Sequence, residues 1–243
     1  MLYPIPKKIQ LAPSTAKWTL QSTQSVLVIV GIQHLRALSA EKHELMLNLT
    51  RIINKAKALD IPIIDLYAED PIQGMLRLGE QLATRSQIIV AGHMSSGFKT
   101  VLAHIASLSE QICIVNDAVY LASQAQHIQW MDRQSATGLH HINTAGLNRL
   151  WALTAPRDYI LSRKGIVYAI AEQLDMDPLD IDPSTDLRDY GLDSVAQVTL
   201  VGLWRANGAR VRYDDLLIHS RLEQLIDFVQ QSAQPNAAEQ EIF

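Results

Sequence analysis

The chain has 243 residues, 48% of them hydrophobic and 19% charged, with 11 Gly, 9 Pro and a single cysteine, Cys113. That length holds one large domain, or a medium one and a small one. The composition excludes collagen-like, coiled-coil and disordered chains, and one thiol excludes an internal disulfide framework or a Cys-based metal cluster. No apolar run is long enough to cross a bilayer, and the first eight residues lack the apolar core of a signal peptide, so a cytoplasmic location without membrane contact is expected.

The charge is unevenly placed. Residues 1–156 hold 13 Lys and Arg against 10 Asp and Glu, while residues 157–243 hold 8 against 15. An acidic C-terminal third repels phosphate, so nucleic acid is not an expected partner. It is steered instead toward basic protein surfaces.

In chain order, residues 1–24 are rich in Pro, Thr and Ser and read as an extended lead-in. Residues 25–31 form a continuous β-branched apolar run, the pattern of a strand buried on both faces. Leu45, Leu49, Ile52, Ile53 and Ala56 then recur at helical spacing within residues 40–59. Further strands are expected at 61–67, 87–92 and 111–116, with helices at 73–83, 98–108, 126–138 and 145–153. Strands alternating with helices predict a three-layer α/β unit on a parallel sheet, with its crevice beyond the carboxyl ends of the strands. Those ends carry Gly31 to His34, Gly92 to Gly97, and Asn116 with Asp117.

After Pro156 the pattern changes. A helix is expected at 159–174, a polar loop at 175–193, and helices at 194–206, 213–218 and 221–231, which together make a small four-helix bundle. The predicted organisation is an α/β unit at 1–153, a linker at 154–157, the bundle at 158–232, and a flexible tail at 233–243.

The most specific feature is Asp189-Tyr-Gly-Leu-Asp-Ser194, placed directly before the apolar helix that holds Val195, Val198, Leu200, Val201 and Trp204. Ser194 followed by Gln197 also fits a capping box, which needs no cofactor. A cap alone does not require Gly191-Leu192-Asp193 ahead of it. The motif resembles the phosphopantetheine attachment site of acyl and peptidyl carrier proteins. In its Tyr-Gly-Leu-Asp-Ser form, with Trp204-Arg205 following, it is similar to the aryl carrier proteins of catecholate siderophore assembly.

The resemblance implies 4′-phosphopantetheine on Ser194, with Asp193 helping to hold a magnesium-bound cosubstrate during priming. A phosphodiester at a helix N-terminus is favoured by the dipole and the free N–H groups there. The implied partners are a phosphopantetheinyl transferase, an aryl-AMP ligase and a condensation or cyclisation domain of a nonribosomal peptide synthetase. Residues 194–206 and 212–219, with Arg205 and Arg212, would form the contact surface.

Carrier domains of this type occur behind isochorismatase domains, and residues 1–153 resemble that α/β fold. The matches are the Ile5-Pro-Lys lead-in, the strand ending at Gln33, residues 89–92 followed by Gly97, and Asn116-Asp-Ala-Val. The departures bear on activity. Gly31 stands where the superfamily has an acid, Phe98 stands where it has a nucleophile, and the span from Tyr67 to Gln87 is too short to hold the strand that carries its lysine. Neither replacement can transfer a proton or attack carbon, so a non-catalytic scaffold, with possible homodimerisation, is expected.

Three alternatives remain on the sequence. The first is an active enzyme that hydrolyses isochorismate to 2,3-dihydro-2,3-dihydroxybenzoate and pyruvate and then carries the aryl product. The second is a rebuilt Ser–His pair drawn from His34, His93, Ser95 and Ser96. The third is an unprimed interaction protein. Cys113, mid-strand, reads as buried packing, and His140-His141 lack partners at metal-ligand spacing.

Overall fold

The computed structural model describes residues 2–6, 17–33, 35, 43–66, 71–93, 98–135 and 139–233. The chain divides into two compact units, Met1–Thr154 and Ala155–Phe243. No helix of the described residues is long and apolar enough to cross a membrane.

The first unit is built on strands β1 (Ser25–Val30), β2 (Ile63–Asp65), β3 (Gln87–His93), β4 (Gln111–Tyr120) and β5 (His140–Ile142). Their spatial order is β2-β1-β3-β4-β5, and every neighbouring pair is parallel. Helices α1 (Glu44–Ala58), α2 (Pro71–Leu82), α3 (Phe98–Leu108), α4 (Gln124–Ser135) and α5 (Thr144–Thr154) alternate with the strands. Side chains alternate across a strand, so β1 feeds two cores. Val26, Val28 and Val30 pack with Leu78, Ile105 and Met131 from α2, α3 and α4, while α1 and α5 lie against the sheet at β4. The three-layer parallel arrangement expected from the apolar runs is present.

Two strand expectations need correction. β5 was not anticipated, because His140-His141-Ile142 is a polar three-residue edge. β4 runs past Asn116 to Tyr120 through a bulge. Val90 pairs with Ile114, but Gly92 pairs with Val119. The extra residues of β4 include Asn116 and Asp117, which look like a strand end in the sequence.

β1 and β3 are adjacent although β2 lies between them in sequence. The topological switch point therefore falls between their carboxyl ends, beside Val30 and Gly92. Gly92 is the tightest position there. Its φ is +111°, and an added Cβ would stand 2.3 Å from the Val30 carbonyl oxygen.

The second unit is helical, with α6 (Arg157–Ile160), α7 (Arg163–Leu174), a 3-10 turn at Pro178–Asp180, α8 (Ser194–Ala206), α9 (Tyr213–Ile218) and α10 (Leu222–Ala233). Its core gathers Ile166, Ile170, Leu187, Leu200, Trp204, Leu225 and Ile226. The single helix expected at 159–174 is broken in two. Ser162 caps α7 by accepting the Gly165 N–H at 3.0 Å, and a Cβ at Gly165 would stand 2.0 Å from the Tyr159 carbonyl oxygen. That close approach arises at the bend between the two helices, which helical periodicity does not reveal. Of the tail expected at 233–243, Ala233 is the last residue of α10, and residues 234–243 lie outside the described residues.

Candidate attachment site and the sheet crevice

Ser194 is the first residue of α8, and Asp193 is its N-cap. The Asp193 Oδ1 accepts the Ala196 N–H at 2.8 Å. The capping-box reading of Ser194 and Gln197 is therefore overturned, since the cap belongs to the residue before. Gln197 turns inward and donates from Nε2 to the Leu192 carbonyl at 3.1 Å. Ser194 is exposed, and its hydroxyl has no hydrogen-bond partner among the described residues. The N–H groups of Ser194 and Val195 lie in the first turn, where no earlier carbonyl of the helix reaches them.

The loop before α8 is pinned at several points. Leu187 N donates to the Ser220 carbonyl at 2.9 Å, and Leu192 N donates back to Leu187 O at 3.1 Å. Asp186 is the hub of a polar cluster. Its Oδ2 accepts from Ser220 Oγ at 2.7 Å and from the Arg188 guanidinium at 2.6 Å. Hydrogen bonds from the Arg188 side chain, and then from Ser220, hold the Asp186 carboxyl well below the usual range. Gly191 takes φ +96°, which turns the chain into the helix. The sequence reading missed the Asp186–Ser220 tie, because the partners lie on opposite sides of two helices.

On α8 the side chains of Val195 and Val198 stand exposed, as do those of Leu217 and Ile218 on α9. Arg205 and Arg212 are exposed as well. The site as built offers a free hydroxyl at the positive end of a helix, with a carboxylate beside it, and these residues fit a phosphodiester-linked arm.

In the α/β unit, Gly31 has φ +62°, and a Cβ there would lie 3.5 Å from the His93 Cβ. His93 stacks on Tyr120 at 5.8 Å between ring centres, and Tyr120 stacks on Tyr3 at 4.5 Å. The ends of β3 and β4 thus carry an aromatic stack. His34, Ser95 and Ser96, the other members of the imagined Ser–His arrangement, lie outside the described residues, as does the side chain of Phe98.

The acidic and imidazole groups nearby are engaged. Asp117 accepts from both the Thr144 N–H, at 2.7 Å, and its hydroxyl, at 2.8 Å, and so anchors the start of α5. Burial raises its pKa, and these bonds oppose the rise. Tyr3 accepts the Leu121 N–H at 2.9 Å and meets His127 Nδ1 at 3.0 Å, while His127 Nε2 meets the Asn116 carbonyl at 3.0 Å. A carbonyl only accepts, so the His127 proton sits on Nε2 and Tyr3 donates to Nδ1. Burial lowers the His127 pKa and pushes Tyr3 up to about 12. His141 Nδ1 bonds Asn116 Oδ1 at 2.9 Å.

Cys113 is fully buried, and its thiol pKa is pushed up by that burial. Among the described residues no group of His, Cys, Asp and Glu is arranged to hold a metal.

Residues 164–229 match the family described as phosphopantetheine attachment site. The isochorismatase of Bacillus subtilis (strain 168) is 42% identical over 71 residues, a stretch covering 28% of this chain and 23% of that protein. The fold resembles the YcaC gene product of Escherichia coli, an octameric hydrolase of unknown specificity, at TM-score 0.51 and 16% identity. That match covers 77% of this chain and 100% of that one. YcaC from Pseudomonas aeruginosa aligns at TM-score 0.47 and 16% identity over 68% of this chain and 95% of its own. The C-terminal unit therefore takes covalent 4′-phosphopantetheine as its cofactor. Residues 164–229 thus match the phosphopantetheine-attachment family, and the α/β unit ahead of them shares its fold with the YcaC gene product of Escherichia coli.

Proposed function

We propose that this chain is a cytoplasmic aryl carrier protein of nonribosomal peptide assembly, of the siderophore-forming type. Ser194 holds the phosphopantetheine arm, and the arm's terminal sulfur carries an aryl acid such as 2,3-dihydroxybenzoate as a thioester. The observation that carries this reading is the exposed Ser194 hydroxyl, left unengaged because Asp193 performs the capping. The Asp193 Oδ2 has no hydrogen-bond partner among the described residues, so one carboxylate oxygen remains for a magnesium-bound cosubstrate.

The partners are a phosphopantetheinyl transferase, an aryl-AMP ligase, and a condensation or cyclisation domain. Exposed Val195, Val198, Leu217 and Ile218 supply an apolar contact surface beside the arm, within an acidic unit suited to basic partner faces. The α/β unit serves as a non-catalytic scaffold. Gly31 offers no proton at the switch point, and the half-buried Asp117 holds the start of α5 through its Oδ1.

The test is loading. Primed protein is incubated with an aryl-AMP ligase, ATP and one of 2,3-dihydroxybenzoate, salicylate or benzoate, while pyruvate release from isochorismate is followed in parallel. A thioester on the arm without pyruvate release supports the reading. Pyruvate release above background would instead make the chain a bifunctional hydrolase and carrier.

A further inference from the structure

Helix α10 delivers the chain to a basic place. The Arg210 N–H donates to the Ser232 carbonyl at 3.1 Å, and Arg157 donates from Nη2 to the Ala233 carbonyl at 3.1 Å. The Arg157 guanidinium also lies over Gly208, where an added Cβ would stand 2.8 Å from its Cζ. Residues 234–243 therefore start beside the turn that joins α8 to α9.

Four of the eight Lys and Arg of residues 157–243 lie at or against this turn: Arg157, Arg205, Arg210 and Arg212. All four are exposed. The Gly208 N–H donates to the Arg205 carbonyl at 3.0 Å, so Arg205 frames one side of the turn and Arg212 the other. In a unit that is acidic as a whole, this is a local basic patch. Helix α9 continues from it with Leu217 42% exposed and Ile218 70% exposed. Its Asp215 is engaged with the Arg212 N–H at 2.8 Å.

An occupant of this surface must be acidic and apolar at once. Residues 234–243 carry Glu239 and Glu241, no Lys or Arg, and then Ile242 and Phe243. Reach permits the contact. An extended chain covers about 3.3 Å per residue, so Glu239 reaches about 20 Å from Ala233 and Phe243 about 33 Å. Helix α9 is only about 9 Å long. Pro235 and Asn236 are residue types that favour the reversal the path needs. We infer that residues 234–243 fold back on α9 of the same chain, with Glu239 and Glu241 against Arg205 and Arg212, and Ile242 and Phe243 over Leu217 and Ile218. Exposed ion pairs are weak singly, but a short tether holds the segment at an effective concentration in the millimolar range. Residues 212–219 belong to the surface proposed for partner contact, so the inference rests on that reading for its consequence: the segment masks the surface until a transferase or ligase displaces it.

The test is hydrogen exchange of the 212–219 backbone, read by mass spectrometry. It compares the wild-type chain, a chain lacking residues 234–243, and the double variant Glu239→Lys with Glu241→Lys. Charge is reversed on the segment because the arginines are also proposed to contact partners. Exchange at 212–219 should be about threefold faster or more in both altered chains, and high salt should bring the wild type toward them. Aryl loading of the primed chain should be about threefold faster without residues 234–243. Exchange needs no arm, so a wild type that gains no phosphopantetheine sinks the carrier reading and leaves the contact to be decided by exchange. Equal exchange in all three chains, or loading that the deletion leaves unchanged, would overturn the inference. Protection that fades on dilution would assign the surface to a second copy and overturn it as well.

Discussion

The Asp193 Oδ1 accepts the Ala196 N–H at 2.8 Å, and this one bond decides what the neighbouring serine is free to do. With the cap supplied by Asp193, Ser194 sits in the first helical turn with its hydroxyl in solvent. Cap and charge can be separated experimentally. Asn is as good an N-cap as Asp, so Asp193→Asn should change stability by only a few tenths of a kcal/mol, whereas Asp193→Ala should cost about 1 kcal/mol. Both variants should slow priming by a transferase. Thermal melts beside priming rates check this, and an Asp193→Asn variant primed at the wild-type rate would remove the charge from the account.

Asp186 predicts an acid dependence of the second unit. Its folded pKa lies below the unfolded value of about 3.9, so its stabilising contribution is full above that value and is lost as pH falls through it toward the folded pKa. Asp186→Asn should lower the melting temperature at pH 7. The gap from wild type should shrink steadily in melts taken below about pH 4. Ser220→Ala, which removes one of the two bonds to Oδ2, should lie between them.

Cys113 reports on the integrity of the α/β unit. It is fully buried in β4 and its thiol is held protonated by that burial. Alkylating reagents should leave native protein unmodified and react once denaturant opens the sheet. Rapid alkylation of native protein would contradict the packing described for β4.

Reversing charge on the surface proposed for partner contact should separate recognition from folding. Arg205 and Arg212 are exposed, and surface substitutions of this kind usually change stability by less than about 0.5 kcal/mol. Arg205→Glu or Arg212→Glu should slow aryl loading several-fold while leaving the melting temperature close to wild type. Unchanged loading by both would move the ligase contact away from this surface.

Much of the architecture is legible in the sequence, and the exceptions have physical causes. Residues 25–31 and 87–92 read as buried strands because both faces of each are covered, so no alternation interrupts the apolar run. β5 escapes because an edge strand needs no apolar run, and its His140 and His141 read as loop. β4 continues through Asn116 and Asp117 because a bulge lets polar residues leave the ladder for Thr144 and His141. The Ser194 motif is legible, yet local spacing assigns the cap to the wrong residue. A Ser-x-x-Gln pattern carries no information on whether Gln197 turns inward. Gly31 is visible as an absence of acid, while the stack of His93, Tyr120 and Tyr3 joins residues from the two ends of the unit and no local pattern encodes it.

The most direct measurement is intact mass before and after incubation with a phosphopantetheinyl transferase and coenzyme A, on wild-type protein and on Ser194→Ala. The account predicts the gain of one phosphopantetheine group by the wild type and none by the variant, with both equally folded. A variant that still gains the group, or a wild type that gains none, would contradict it.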